Sequence, residues 1–291
     1  IESLNISNSA AIVFHYINDF KMAVDEIVDS VKLRSDYSQE NFFYTSNSMG
    51  GAIGIGYLQY FGEESPFKAV ALLGSMIKVN YLSFINKEPT GLNNFVFSER
   101  GVIAQSKFYC LTGRCDHYSN EELFGDYVPE NRIFQENTEK IMTHSEARFN
   151  LRTFLWNEFD WRPFMREHYS PEENWEKPIL GGATMGWSLA ATHFLQDMRS
   201  ESSIKALPNT PILLITGTRD LRAYTPHSDG TTDLNSHREF CDSINQWNSH
   251  DRSNLCSFVP LEGSFHEIYK ESDEYREEAM MRVIDFFQSQ K

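Results

Sequence analysis

Positive charge is what this sequence most conspicuously lacks. Its 26 Lys and Arg are outnumbered by 41 Asp and Glu, leaving a net charge of -15. Any polyphosphate would have to approach against the chain's own field, so no nucleic acid partner is expected. No polybasic patch offsets the deficit, and peripheral membrane contact would have to rely on apolar or amphipathic elements. Long apolar runs are missing too. Ala69 to Gly74 and Pro211 to Ile215 are strand-sized, far short of the roughly 20 residues of a membrane-spanning helix. There is no Cys-x-x-Cys pair and no histidine cluster with zinc-ligand spacing, so no metal and no cofactor is expected. His266-Glu267 opens like a zinc-protease motif, but the second histidine four residues on is absent. No signal peptide is legible and the chain opens on Ile1 rather than methionine, which leaves localisation open.

The four cysteines fall as Cys110 with Cys115 and Cys241 with Cys256. That spacing fits two short-loop disulfides as well as four free thiols, the unpaired state being the simpler reading. Pairing would point to a secreted or periplasmic setting.

What is present suits a globular protein. Hydrophobic residues make up 41% of the 291 and aromatics 14%, enough to build a core and too much for a disordered chain. From His15 to Leu33, Phe20, Val24, Ile27, Val28 and Val31 recur at three- and four-residue steps, predicting an amphipathic helix. Short apolar runs at Phe42 to Thr45, Lys68 to Leu73, Pro211 to Thr216 and Ser257 to Leu261 read as buried strands. Helical stretches at Ala52 to Phe61, Ser236 to Trp247 and Glu274 to Phe287 alternate with them. Strands alternating with helices imply an α/β fold with a mostly parallel sheet. The rhythm lapses between residues 76 and 208, where helices are expected near Glu136 to Trp156 and Trp187 to Met198. The expected organisation is a first core part (1–75), a largely helical cap insertion (76–208) and a second core part (209–291).

Chemistry concentrates at the ends of the predicted strands. Ser46-Asn47-Ser48-Met49-Gly50-Gly51 lies between a strand and a helix. Small residues two before and two after Ser48 let the backbone turn sharply and present its hydroxyl, the context of a nucleophile elbow. A serine hydroxyl needs a base to take its proton, and the base needs an acid to orient it. Asp220 follows the strand Pro211 to Thr216, and His266 follows the strand Ser257 to Leu261 just ahead of the last helix. Ser48, Asp220 and His266 thus stand in the chain order Ser, acid, His, each at the C-terminal end of a strand, where open parallel sheets bind ligands. Asp229 and Asp233 are the alternative acids. His144, His168 and His193 fall in the insertion and read as structural. Gly51, Gly54 and Gly56 lack phosphate-loop spacing and read as packing glycines.

These residues resemble the bacterial lysophospholipases related to monoacylglycerol lipases, within the α/β-hydrolases. The resemblance is carried by Ser46 to Gly51, by Met142-Thr143-His144-Ser145 with Arg148-Phe149, by Gly181-Gly182-Ala183-Thr184 with Trp187, and by Gly263 to Ile268 through Asp285-Phe286-Phe287. Phe240-Cys241 with Cys256 is also similar, and residues 80 to 130 are the least alike. The family usually has Gly or Ala where this chain has Ser46, and often His where it has Asn47.

The resemblance implies an α/β-hydrolase fold and a serine hydrolase with Ser48 as nucleophile, Asp220 as acid, His266 as base and the Met49 backbone N–H in the oxyanion hole. It implies a lipid substrate with a single acyl chain, a lysophospholipid first and a monoacylglycerol or simple carboxylic ester next, and a membrane-associated bacterial protein. Family members carry further strands and a His-Gly oxyanion segment ahead of the first helix, and residues 1–14 match neither. An N-terminal fragment of the same protein is therefore the expected partner, completing the sheet and the oxyanion hole. From another functional class, the rival expectation is a non-catalytic hydrolase relative that binds lipid or serves as a scaffold.

Overall fold

The computed structural model describes residues 17–31, 42–81, 90–115, 185–218, 232–247 and 254–290. Residues 17–31 form α1. There follow β1 (Phe42–Asn47), α2 (Met49–Phe61), β2 (Phe67–Leu73), α3 (Gly91–Val96), α4 (Glu99–Leu111), α5 (Met185–Met198), α6 (Glu201–Lys205), β3 (Ile212–Gly217), α7 (Leu234–Trp247), β4 (Cys256–Leu261) and α8 (Asp273–Ser289).

The four strands form one parallel sheet in the order β1-β2-β3-β4. Every residue of β3 is buried, as are the last five of β2. Continuous apolar runs of this kind belong to strands covered on both faces. Register sets Asn47 beside Leu73, Leu73 beside Ile215, and Gly217 beside Leu261. The C-terminal ends of all four strands consequently open onto one edge.

Alternate side chains point to opposite faces of a strand, and the core divides accordingly. Val70, Leu72, Ile212 and Leu214 face one side, where they pack with Ile17 and Val24 of α1, Ile55 and Leu58 of α2, Leu195 and Met198 of α5, and Phe240 and Ile244 of α7. Ala71, Leu73, Leu213 and Ile215 face the other side and meet Ala279 and Val283 of α8. Helices α5 and α6 fall inside the stretch read as an insertion, yet Leu195, Met198 and Ile204 join the sheet's main core. One member of the apolar stripe predicted for α1, Ile27, faces solvent instead, as does Ile284 on α8.

Helices α3 and α4 were not legible in the sequence. Neither shows a strong apolar stripe; their starts are set by Thr90 and Ser98, whose side chains accept from Asn93 N–H and Gly101 N–H. The predicted helix near Glu136 to Trp156 lies outside the described residues. Among those residues, no helix is long and apolar enough to cross a membrane.

Both cysteine pairs are disulfides, which corrects the simpler reading of four free thiols. Packing of α7 on β4 brings Cys241 and Cys256 to a Cα separation of 5.3 Å, within bonding range. Asn245 reinforces this junction by exchanging two hydrogen bonds with the Cys256 backbone. Cys110 and Cys115 meet because the chain reverses after α4 at Gly113, whose φ is 79°.

Candidate active site

Ser48 joins β1 to α2 with φ 52° and ψ -122°, the one non-glycine residue of positive φ among the described residues. Such a conformation costs about 1–3 kcal/mol and persists only where its surroundings enforce it. Here the end of β2 enforces it. Ser48 N–H donates to Leu73 O at 3.1 Å, and Ser48 O accepts from Met76 N–H at 2.9 Å and Gly51 N–H at 3.0 Å.

The departure at Ser46 is accommodated across the turn. A Cβ on Gly50 would lie 3.1 Å from Ser46 Cβ, so the glycine leaves the room that Ser46 takes up. Tyr44 braces the same turn by donating to Gly50 O at 2.9 Å, and burial pushes its phenol pKa up. The other α2 glycines serve packing: Gly51 lies against Ser75, Gly54 against Tyr44, and Gly56 against Phe194 and Ile17. Met49 N–H is the first amide of α2 and has no partner within the helix, at the positive end of its dipole.

His266 is carried by the loop after β4. Its Nε2 lies 2.9 Å from Ser48 Oγ, although the two residues are 218 positions apart in sequence, and only 3% of the residue is exposed. The loop rests on two glycines at the ends of the central strands. A Cβ on Gly74, whose φ is 51°, would lie 2.6 Å from His266 O, and one on Gly217 would lie 2.4 Å from Ser264 O. Side chains hold it from either side: Gly263 N–H donates to Thr218 Oγ1 at 2.9 Å, and Tyr269 and Thr45 share a hydroxyl hydrogen bond of 2.7 Å. Burial raises the Tyr269 phenol pKa, keeping it a neutral hydrogen-bonding group. Sequence reading singled out none of Gly74, Gly217, Thr218 or Tyr269, because each acts through a neighbour that only the fold supplies.

Asp220 and Asp229 lie outside the described residues. Asp233, the remaining alternative acid, caps α7: its carboxylate accepts from Ser236 N–H and pairs with Lys78 at 3.2 Å. His237, also missed in the sequence, is wholly buried, with Nδ1 2.9 Å from Asp233 O and Nε2 2.6 Å from Ser75 O. It thus ties α7 to the segment beneath the Ser48 turn. His193 sits on α5, where burial and, secondarily, Lys107 lower its pKa; His144 and His168 lie outside the described residues.

A serine hydroxyl hydrogen-bonded to an imidazole can pass it the proton while attacking an electrophile. An amide at a helix N-terminus beside that serine is placed to receive developing negative charge.

No family model matches the sequence, and no curated protein matches it either. Solved structures do. A soluble variant of monoglyceride lipase from Saccharomyces cerevisiae, in complex with a substrate analogue, is 13% identical with a TM-score of 0.57, covering 96% of this chain and 70% of that one. A thermostable carboxyl esterase from Bacillus coagulans, in complex with glycerol, is 16% identical with a TM-score of 0.52, covering 94% and 72%. A lipase in its open form is 12% identical with a TM-score of 0.51, covering 92% and 71%. Likeness at these identities speaks for architecture, and the architecture is the α/β-hydrolase fold.

Proposed function

We propose that this chain is a serine ester hydrolase, with Ser48 as nucleophile, His266 as general base and Asp220 as the acid that orients the histidine. The observation that carries the reading is the strained Ser48 backbone with its Oγ 2.9 Å from His266 Nε2. Ser48 Oγ attacks the ester carbonyl as its proton passes to His266. The tetrahedral oxyanion rests on Met49 N–H, and His266 returns the proton to the departing alkoxide. Water, activated by the same histidine, then attacks the acyl-enzyme and frees the carboxylic acid and Ser48.

Within that class we assign a lysophospholipid releasing its fatty acid, on the strength of the sequence resemblance. Within the stretch 76–208, the part ahead of α5 would form a cap that receives the acyl chain, since α5 and α6 pack in the sheet's main core. A second oxyanion donor would come from a segment of the same protein running beside β1, one of the two edge strands among the described residues. A monoacylglycerol is the second substrate reading, which the fold-level likeness to the yeast monoglyceride lipase keeps in view.

Fluorophosphonate labelling read by intact mass tests the chemistry. One adduct, lost in Ser48→Ala, is expected; no adduct on the wild-type protein overturns the assignment and leaves the non-catalytic lipid-binding reading. Parallel release of fatty acid from a lysophospholipid and a monoacylglycerol of equal chain length then ranks the two substrates.

A further inference from the structure

The loop that delivers His266 closes on a carboxylate. Glu271 is 0% exposed, and each of its oxygens accepts a backbone N–H: Oε1 from Phe265 at 2.7 Å and Oε2 from Ser272 at 3.1 Å. Charge-assisted bonds to backbone amides are the stronger kind, and burial increases what is lost when one is removed. Phe265 directly precedes His266 and is itself buried. Its carbonyl accepts from Ser264 Oγ at 3.0 Å, a bond between chain neighbours. The other holds across the loop act elsewhere. Thr218 receives Gly263 N–H, Leu261 O receives Ser264 N–H, and Tyr269 reaches across to Thr45. Ile268 N–H donates to His266 O at 3.0 Å, a bond internal to the turn that sets its shape and not its place. Glu271 thus holds, from across the loop, the amide of the residue that precedes His266.

We propose that Glu271 is a positioning residue that sets His266 Nε2 on Ser48 Oγ by holding the Phe265 amide. It makes no contact with the reacting atoms; its carboxylate fixes the backbone from which the imidazole projects. This inference rests on the serine hydrolase reading. Nothing in the sequence marks the residue: Glu271 sits in Lys270-Glu271-Ser272-Asp273, which reads as a solvated entry to the last helix.

The test compares the wild-type protein with Glu271→Leu, which cannot accept a hydrogen bond, and Glu271→Gln, which keeps the volume and one acceptor oxygen. Thr218→Val, which removes the neighbouring hold on Gly263, serves as the structural control. Each is assayed well below its own unfolding midpoint for fluorophosphonate inactivation rate and for kcat and KM on a short p-nitrophenyl ester. A displacement of the base by about 1 Å can cost on the order of 100-fold. The expected result is therefore kcat about 100-fold down in Glu271→Leu at unchanged KM, and about tenfold down in Glu271→Gln. Thr218→Val is expected to stay within about threefold of wild type despite its loss of stability.

The proposal is overturned if Glu271→Leu turns over within threefold of wild type, or if Thr218→Val loses as much kcat for an equal loss of stability. Should Glu271→Leu not fold, Glu271→Gln decides alone, an unchanged kcat overturning the idea. Failure of the wild-type chain to label or turn over would instead remove the hydrolase reading and this inference with it.

Discussion

The turn that carries Ser48 and the loop that carries His266 meet at one hydrogen bond yet are built by opposite means. The Ser48 turn is enforced by backbone. A strand runs straight into a helix, and the end of β2 pins the residue between them into a conformation that costs energy. The His266 loop carries no non-glycine residue of positive φ and is held by side chains and glycines: Thr218, Tyr269 and Glu271 grip it, while Gly74 and Gly217 let it lie against the strand ends. A backbone-enforced element tolerates side-chain change and resists relaxation. A side-chain-enforced element places its cargo only as well as the grips nearest that cargo survive. Substitutions in the loop should therefore degrade chemistry by degrees, whereas the turn should keep its shape through side-chain changes that leave its backbone bonds intact.

Removing the cargo sets the upper limit of the comparison. His266→Ala should lower ester turnover by about 10^6-fold, as loss of one member of a nucleophile–base unit does, and steady-state kinetics on a soluble ester would reveal it. Gly74→Ala attacks the loop's seat. Its Cβ would lie 2.6 Å from His266 O at a φ of 51°, so we expect a loss of about 3 kcal/mol in denaturant unfolding and a fall in kcat of more than about 100-fold.

Gly217→Ala presses on the loop two residues further back, 2.4 Å from Ser264 O, without a positive φ to strain. A fall in kcat of about 10- to 100-fold with KM held is expected. Equal losses in Gly74→Ala and Gly217→Ala would show that backbone strain at Gly74 adds nothing.

Ser48→Gly probes the turn from the other side. It abolishes turnover but relieves the strained backbone, and thermal unfolding should show a gain of about 1–2 kcal/mol. A loss of stability would mean that the turn is not strained and would collapse the contrast drawn above. Tyr269→Phe is the mildest change, removing one hydroxyl hydrogen bond between the loop and β1. It should cost about 1 kcal/mol of stability and reduce kcat only a few-fold.

How much of this was legible in advance differs between the two regions. Ser48 stood out because a nucleophile turn leaves a local mark, small residues flanking a serine between an aromatic run and a helix. His266 was found by its place after the last strand, a cue of chain order. The grips on its loop left no mark. Glu271 and Tyr269 occupy a short polar stretch like many others, and their partners lie on Phe265 and on Thr45 of a distant strand. The cysteine pairing was equally undetermined, since two short spacings fit either state until α7 packed on β4. Helices α3 and α4 escaped for want of a strong apolar stripe, being started by hydroxyl caps and held, at α4, by Arg199 Nη2, which donates to both carboxylate oxygens of Glu99.

By itself the sequence determined the order of the four strands and of helices α1, α2, α5, α7 and α8 and the parallel sheet, and it pointed to the two residues on which the proposed chemistry turns. Apolar periodicity and small-residue turns are local, and local patterns are written in consecutive residues. Only the tertiary structure decided how tightly Ser48 is strained, what accommodates Ser46, which glycines must stay bare and which carboxylate holds the histidine loop. Those properties belong to contacts between residues as much as 218 positions apart, and no local pattern encodes the distance between them.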